Sequence, residues 1–295
     1  MTKIAGFVNI VKPTGMTSSD VVLRVKKILK TKKVGHLGTL DPAASGVLPI
    51  AVGRATKFFD YFLNKDKEYF AVVKFGIETD TLDSFGNITN CNSKKVSKSD
   101  ILTVLKDFIG DIQQIPPKYS AVKINGKKAC DLAREDVEFE IKPRQVKIYD
   151  IELVNELEEN MFSFKVHCSA GTYIRTLFSD IAKKLETIST TVSIIRTKSG
   201  RFLIHDAITL DELENSLKVQ KIENLFSDLP CFEVDDFIFK KLVNGVKIQS
   251  KMIDFDNKAN RECFLSYKNK TIGFYDISGE YVEPIVYLFE MESVW

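Results

Sequence analysis

Residues 36–50 read HLGTLDPAASGVLPI and place one carboxylate, that of Asp41, in a loop of small residues. Pro42 disfavours the helical conformation at Asp41 and favours an extended one. The apolar run Val47–Val52 follows soon after and predicts a buried strand. A carboxylate that a rigid, unhindered loop presents beside a strand suits a nucleophile or a general base.

The same Asp-Pro pair has a second interpretation, an Asx turn, in which the side chain bonds to the backbone two residues further on. Gly38 and Gly46 carry no Cβ, so they let the backbone reverse and leave room around the Asp41 carboxylate. Taken alone, this stretch favours the structural turn. A functional role for Asp41 therefore needs support from other parts of the chain.

The composition excludes several classes of protein. With 295 residues, 44% of them hydrophobic and 28% charged, the chain can form one large or two ordinary domains with a full core. It contains no apolar run near the ~20 residues that cross a bilayer, and residues 1–12 lack the pattern of a secretory signal. Five scattered cysteines without a CxxC motif predict neither disulfides nor a zinc site. We therefore expect a cytoplasmic protein without a bound metal.

The charge is unevenly distributed along the chain. Residues 1–60 carry ten Lys and Arg against three Asp and Glu, whereas residues 206–295 carry ten against seventeen. The local balance is thus +7 near Asp41 and −7 in the last third. A basic region of this kind attracts the phosphates of a polyanion, although a solvated helix face would have the same composition.

Hydrophobic periodicity predicts alternating helices and strands. A helix should begin after Thr17, which forms a capping-box pattern with Asp20. Further helices are predicted at 55–63, at 99–109 with Ser99 as the cap, at 127–134 and after Gly171. Strands are predicted at 47–52, 68–75, 146–153 and 161–168. A turn is predicted at Asn125 and Gly126. These blocks lack regular βαβ spacing, so we expect an α/β (α+β) fold with a mixed, largely antiparallel sheet.

The character of the chain changes around Leu229 and Pro230. Short β-rich runs at 263–267, 271–275 and 281–289 are separated by turn residues. This pattern predicts a small β-barrel-like module joined to the main domain.

A second candidate group lies where the predicted strand at 161–168 leads into a helix. Arg175 stands at the start of that helix, off its apolar stripe. From this position a guanidinium could pair with a carboxylate of another loop and orient it. It could equally tie the start of the helix to the sheet, and the residues around Arg175 leave both roles open.

Four motifs in one order carry a family resemblance. They are residues 36–50 with the core GTLDP, Glu68 with Tyr69, Tyr119–Lys123 with Gly126–Lys128, and Gly171–Thr176. Their order and spacing resemble the TruB-type tRNA pseudouridine-55 synthases, and Lys12–Ser18 (KPTGMTS) matches the usual start of this family. The resemblance is close over residues 4–230. It implies a pseudouridine synthase catalytic domain at 1–228 and a PUA-like RNA-binding domain at 229–295.

The resemblance implies a role for each matching residue. Asp41 corresponds to the catalytic aspartate, Arg175 to the arginine that pairs with it, and Tyr69 to the active-site tyrosine that lies against the flipped base. Four more residues correspond to substrate-binding positions: His36 contacts the RNA, Tyr173 packs beside the site, Ile195 supports the uracil, and Lys12 lies near the active site with a more structural role. The implied partner is the T-arm of tRNA, with no cofactor and no obligate protein partner, and the chain is expected to be a monomer.

The chain also departs from the family pattern. Residues 118–141 resemble the mobile RNA-gripping insertion, but Cys130 replaces a usual aromatic residue there, and Ala170 replaces a frequently basic residue. Both changes should affect the grip on RNA more than the chemistry. His167 and His205 have no motif context and are expected to be structural.

Three other functions remain open at this point. The chain could be a tRNA-folding chaperone that acts by binding alone, or the related guide-RNA-dependent subunit that works with partner proteins. A glycoside hydrolase would need two carboxylates flanking the bond, and the motifs supply only Asp41.

Overall fold

The computed structural model describes residues 4–135, 137–253 and 261–288. In chain order the strands are β1 (Gly6–Lys12), β2 (Val34–His36), β3 (Ser45–Val52), β4 (Lys67–Phe75), β5 (Ile77–Thr79), β6 (Ile88–Cys91), β7 (Gly110–Gln114), β8 (Lys123–Ile124), β9 (Lys127–Lys128), β10 (Arg144–Glu158), β11 (Met161–Cys168), β12 (Ser189–Ser199), β13 (Phe202–Leu203), β14 (Cys231–Glu233), β15 (Glu262–Tyr267), β16 (Lys270–Asp276) and β17 (Glu283–Tyr287). The α-helices are α1 (Ser18–Ile28), α2 (Phe59–Leu63), α3 (Lys98–Leu105), α4 (Ala129–Arg134), α5 (Ile174–Lys184), α6 (Leu210–Ser216), α7 (Ile222–Leu225) and α8 (Asp236–Val243). Four 3₁₀ helices lie at Gly53–Phe58, Lys106–Phe108, Ile204–Asp206 and Ser250–Met252.

The main sheet has nine strands, seven of them in the order β1-β3-β12-β4-β11-β10-β7, with β2 paired to β3 and β13 to β12. All pairs are antiparallel except β3 with β12. The predicted mixed, largely antiparallel sheet is confirmed. Because β12 lies between β3 and β4, its residue Ile195 pairs with Ser45 at the start of β3, and the next residue pairs with Tyr69 of β4. The topology therefore brings the motif at 36–50, Tyr69 and the predicted site residue Ile195 together.

Helix α1 begins where the sequence predicts. The Thr17 side chain accepts a hydrogen bond from the Asp20 backbone N–H, and the Asp20 carboxylate accepts one from the Thr17 N–H at 2.9 Å. Val21 and Val25 are fully buried in the core that packs on the main sheet. The capping box thus fixes the point at which residues 12–17 turn into the helix.

Two predicted helices have different ends in the structure. Ser97, not Ser99, caps α3, because Asp100 stands three residues after Ser97 and completes a capping box. The helical segment predicted at 55–63 is a 3₁₀ helix until Phe58 and α-helical only from Phe59. The tight turn at Asn125 and Gly126 is confirmed, since it joins β8 to β9.

A four-stranded sheet, in the order β14-β15-β16-β17, forms the described C-terminal part of the chain. The three β-rich runs predicted there correspond to β15, β16 and β17, and Phe289 lies outside the described residues. This small second sheet fits the PUA-like module that the sequence predicts. None of the described helices combines the length and apolar character needed to cross a membrane.

An aromatic cluster joins the two sheets. Its buried members are Phe7, Phe58, Phe62, Phe202, Phe226, Phe264 and Phe274. The Phe226 ring lies 5.5 Å from that of Phe58 and 5.2 Å from that of Phe274, measured between centroids. Two polar contacts flank the cluster: the Tyr61 hydroxyl donates to Glu262 at 2.9 Å, and the Lys57 ammonium donates to the Tyr287 carbonyl at 2.8 Å.

The substitution Phe226→Ala should lower the free energy of unfolding by about 3–5 kcal/mol, because it leaves a cavity between the two sheets. Urea unfolding followed by circular dichroism measures this loss. Phe237→Ala is the control, since Phe237 is 56% exposed, and should change stability by less than about 1 kcal/mol. If the two substitutions lowered the free energy of unfolding equally, the aromatic cluster would not be what stabilises the contact between the two sheets.

Candidate active site

The structure brings the two candidate motifs into direct contact. Arg175 Nη2 donates a hydrogen bond of 2.6 Å to Asp41 Oδ2. The Arg175 side chain is 4% exposed and the Asp41 side chain 33% exposed. Asp41 therefore faces solvent on one side and a buried cation on the other, and the charge-assisted bond orients its carboxylate.

Arg175 is itself held by several groups. It donates to the carbonyl oxygens of Thr81 at 2.8 Å and Tyr119 at 3.0 Å, and its Nη1 lies 3.5 Å from Asp83 Oδ2. These contacts tie the start of α5 to the loop between β5 and β6 and to the beginning of the 118–141 insertion. The guanidinium fork thus has little freedom to rotate.

Asp83 is a site residue that the sequence analysis missed. Its carboxylate is buried and accepts hydrogen bonds from the Thr81 hydroxyl at 2.7 Å and the Phe85 N–H at 3.0 Å. The expectation of a single carboxylate near the site is therefore wrong. Asp83 does not restore the glycoside hydrolase hypothesis, because it is buried behind Arg175 and does not face an open cleft with Asp41. Only its place in a run of polar turn residues, TDTLDS, marks it in the sequence.

The backbone of the Asp41 loop rests on residues 12–18. The Gly15 N–H donates to the Pro42 carbonyl at 2.8 Å. The Ser18 hydroxyl both donates to the Leu40 carbonyl and accepts from the Leu40 N–H, each at 2.9 Å. The turn after Asp41 is closed by the backbone, since the Ala44 N–H donates to the Asp41 carbonyl, while the carboxylate is directed to Arg175. The Asx-turn interpretation is thus not what the structure shows.

Lys12 is fully buried beside this loop. Its ammonium donates to the carbonyl oxygens of Pro13 at 2.8 Å, Met16 at 2.7 Å and Pro42 at 3.4 Å. Burial lowers the pKa of Lys12 to about 8, and the negative charge of Asp41 acts in the opposite direction. Lys12 has no exposed surface for an RNA ligand, so the structure gives it a supporting role and not the substrate-binding one.

Tyr69 lies on β4, where its side chain packs against the main core. Burial raises the pKa of its hydroxyl to about 12, although the positive charge of Arg196 opposes this shift. Tyr69 therefore keeps its proton at neutral pH. Asp41 contributes to the same shift, which places the tyrosine within electrostatic reach of that carboxylate.

The other predicted site residues surround the same loop. His36 ends β2 and pairs with Ile50; burial and the nearby Arg196 lower its pKa, which favours the neutral imidazole. In the described part of the chain nothing bonds to its buried Nδ1. Tyr173 is the N-cap of α5, and its backbone N–H and C=O bond to the Gln114 side chain at 3.0 and 3.3 Å. Burial raises the pKa of the Tyr173 hydroxyl.

One group of described residues has the geometry of a metal site. It consists of Asp66, Glu68 and His167. The Lys198 ammonium already lies 3.1 Å from a carboxylate oxygen of each acid, and His167 Nε2 lies 2.7 Å from Asp66. Lysine thus supplies the positive charge here, in agreement with a structural His167.

Comparison with known proteins adds an independent finding. The family model described as TruB family pseudouridylate synthase (N terminal domain) matches residues 26–174. The chain is 46% identical to tRNA pseudouridine synthase B of Clostridium kluyveri, over 83% of this chain and 86% of the relative. The chain belongs to the TruB family. It is equally 46% identical to tRNA pseudouridine synthase B of Bacillus pumilus, over 82% of each chain.

Two solved structures have a similar fold over most of the chain. A chain of a Cbf5-Nop10-Gar1 complex superimposes with a TM-score of 0.70 at 28% identity, covering 95% of this chain and 83% of that one. A chain of an H/ACA RNP bound to a substrate RNA gives a TM-score of 0.69 at 25% identity, covering 97% and 85%. The similarity therefore extends over both sheets.

The buried Lys12 predicts a specific pH dependence of stability. The unfolded chain keeps the lysine proton up to its ordinary pKa of 10.5, whereas the folded chain loses it near 8. Between these values the unfolded state binds more protons, so the free energy of unfolding that Lys12 contributes rises with pH. The free energy of unfolding of the wild type minus that of Lys12→Met should therefore increase from pH 8 to pH 10.5. Urea unfolding across this range measures it, and a constant difference would contradict the burial of a charged Lys12.

Proposed function

We propose that this chain is a tRNA pseudouridine synthase that isomerises uridine 55 of the T-loop, with Asp41 as its catalytic carboxylate. The observation that carries the proposal is the 2.6 Å contact between the partly exposed Asp41 and the buried Arg175. Curated relatives named tRNA pseudouridine synthase B, such as those of Clostridium kluyveri and Clostridium tetani, support the substrate and the reaction.

The reaction matches the chemistry of this site. The N1–C1′ bond of uridine breaks, the base turns, and a C5–C1′ bond forms; C5 loses its proton and N1 gains one, so the product has the same atoms as the substrate. Asp41 can serve as the nucleophile, and the Arg175 guanidinium stabilises its negative charge and fixes its direction. The isomerisation needs no external oxidant or reductant.

The residues around Asp41 suit a base that has left the RNA stack. Tyr69, Tyr173 and Ile195 supply two aromatic faces and an apolar side chain to hold the uracil. Because burial favours the protonated form of its hydroxyl, Tyr69 is suited to donate a hydrogen bond to the base. We assign His36, whose side chain is half-buried, to a contact with the opened RNA loop.

Three regions would bind the rest of the tRNA. On and after α1 the side chains of Lys27, Lys30, Lys32 and Lys33 are exposed, so they can contact phosphates without reading sequence. We assign residues 118–141, except the undescribed position 136, to an RNA-gripping insertion within a catalytic domain at 1–228. Residues 229–295 would be the PUA-like RNA-binding domain.

The insertion reaches the catalytic group directly. The Tyr119 carbonyl accepts a hydrogen bond from Arg175, and a cleft of about 920 Å³ separates the insertion from the β5–β6 hairpin. If the insertion moves when RNA binds, the hydrogen bond between Tyr119 and Arg175 would therefore transmit the movement to Arg175. We expect the chain to work as a cytoplasmic monomer without an obligate protein partner.

The Cbf5 similarity favours one alternative, a subunit that needs a guide RNA and partner proteins. The identity to the relatives named tRNA pseudouridine synthase B is higher, 40–46% against 28%, and supports the stand-alone enzyme. The purified chain with an unmodified tRNA transcript distinguishes the two, since only the stand-alone enzyme forms pseudouridine there. A chaperone would bind and refold the transcript without converting it.

Asp41→Asn should bind the tRNA transcript within about threefold of the wild-type Kd but lose turnover by about 10⁴-fold or more, because the amide is not a nucleophile. A tritium-release or mass-spectrometric assay for pseudouridine measures the turnover. Asp206→Asn, at an acid whose side chain is 64% exposed, is the matched control and should keep wild-type turnover. Substantial conversion by Asp41→Asn would remove Asp41 from its proposed role.

A further inference from the structure

Arg196 is the largest fully buried side chain in the described part of the protein, at 1% exposure. It lies on β12, and main-chain carbonyls of the Asp41 loop receive its hydrogen bonds. Nη2 donates to Gly38 at 3.2 Å, Nη1 to Thr39 at 3.0 Å and Nε to Val47 at 2.8 Å. Nothing in the sequence pattern assigned a role to this arginine.

The three acceptors stand on both sides of Asp41. Gly38 and Thr39 enter the loop, and Val47 leaves it, so one planar guanidinium closes the loop between its two ends. A lysine ammonium could not span the same acceptors, because it is a compact group without the rigid fork of arginine. The loop is thus fixed at its ends by Arg196, in addition to the contacts that residues 12–18 make at Leu40 and Pro42.

The backbone of Arg196 fixes the loop as well. Gly46 pairs with Arg196 across the parallel β3–β12 contact and has a φ of +102°. A Cβ at position 46 would clash with the Arg196 carbonyl oxygen, so only glycine permits this approach. The loop therefore returns to the sheet at a single, tightly defined place.

Arg196 also faces Tyr69, its register partner on β4. Its positive charge acts on two candidate site residues, since it lowers the pKa of Tyr69 against the effect of burial and lowers that of His36. Burying a guanidinium that bonds three neutral carbonyls and has no carboxylate among its hydrogen-bond partners in the described residues is unfavourable compared with an apolar side chain of the same size. This position thus carries an energetic penalty that packing alone does not explain.

We propose that Arg196 is a positioning residue for pseudouridine formation, which holds Asp41 at attacking distance by closing its loop and keeps a fixed positive charge beside Tyr69. This inference rests on the proposed function. Arg196 does not touch the substrate in this account; it acts through the Asp41 loop. Its loss should therefore affect the chemical step and leave RNA binding intact.

The test compares Arg196→Lys with Arg201→Lys, the same substitution on an arginine that bonds Asp228 at 2.6 Å outside the loop. Unmodified tRNA transcript is the probe, and the assays are tRNA Kd and single-turnover rate at saturating enzyme. Arg196→Lys should keep Kd within threefold and lose about 10²-fold in rate, since a displacement near 1 Å has such an effect. Arg201→Lys should stay within threefold in both.

Two outcomes would overturn the inference. One is an Arg196→Lys rate within threefold of wild type; the other is a rate that falls only in proportion to the unfolded fraction, measured by circular dichroism. If Arg196→Lys fails to fold, Gly46→Ala is tested instead, because it displaces the same loop with Arg196 intact. Gly46→Ala should show the same loss of rate at an unchanged Kd. A wild-type rate in this variant contradicts the inference. Wild type run in parallel separates the two proposals, because a wild type without pseudouridine formation refutes the proposed function instead.

Discussion

The buried guanidinium of Arg175 joins three segments that are far apart in the sequence. It bonds the Asp41 carboxylate, the Thr81 carbonyl and the Tyr119 carbonyl, and Asp83 lies beside it. A buried cation needs polar partners, and both terminal nitrogens of Arg175 have them, so these contacts constrain one another. The Asp41 carboxylate, the β5–β6 loop and the segment around Tyr119 are consequently linked through one side chain at the start of α5.

The sheet order supplies the frame for this contact. With β12 between β3 and β4, the Asp41 loop, Ile195 and Tyr69 lie on neighbouring strands. The loop is then supported from two sides, by residues 12–18 at its middle and by Arg196 at its ends. This double support leaves the Asp41 carboxylate partly open to solvent while its backbone is fixed, which is the arrangement that a preorganised nucleophile needs.

Local patterns in the sequence were enough to predict the cap at Thr17 and the strands around the site, whereas the pairing of Asp41 with Arg175 was implied by the family resemblance. Asp83 and Arg196 escaped prediction because their roles arise from contacts over long stretches of chain: Asp83 reaches Arg175, and Arg196 reaches Gly38. Neither contact leaves a periodic signal. Lys12 is an exception within the basic N-terminal region, since the fold buries this lysine completely, which fits the more structural role that the resemblance implies.

The central claim is that Arg175 makes Asp41 reactive by orienting it. The most direct measurement is the single-turnover rate of pseudouridine formation by Arg175→Lys at saturating enzyme, beside its Kd for the tRNA transcript. A lysine keeps the charge but loses the fork that bonds Asp41, Thr81 and Tyr119 together. The account predicts a rate about 10³-fold below wild type with a Kd within threefold, and a rate within tenfold of wild type would contradict it.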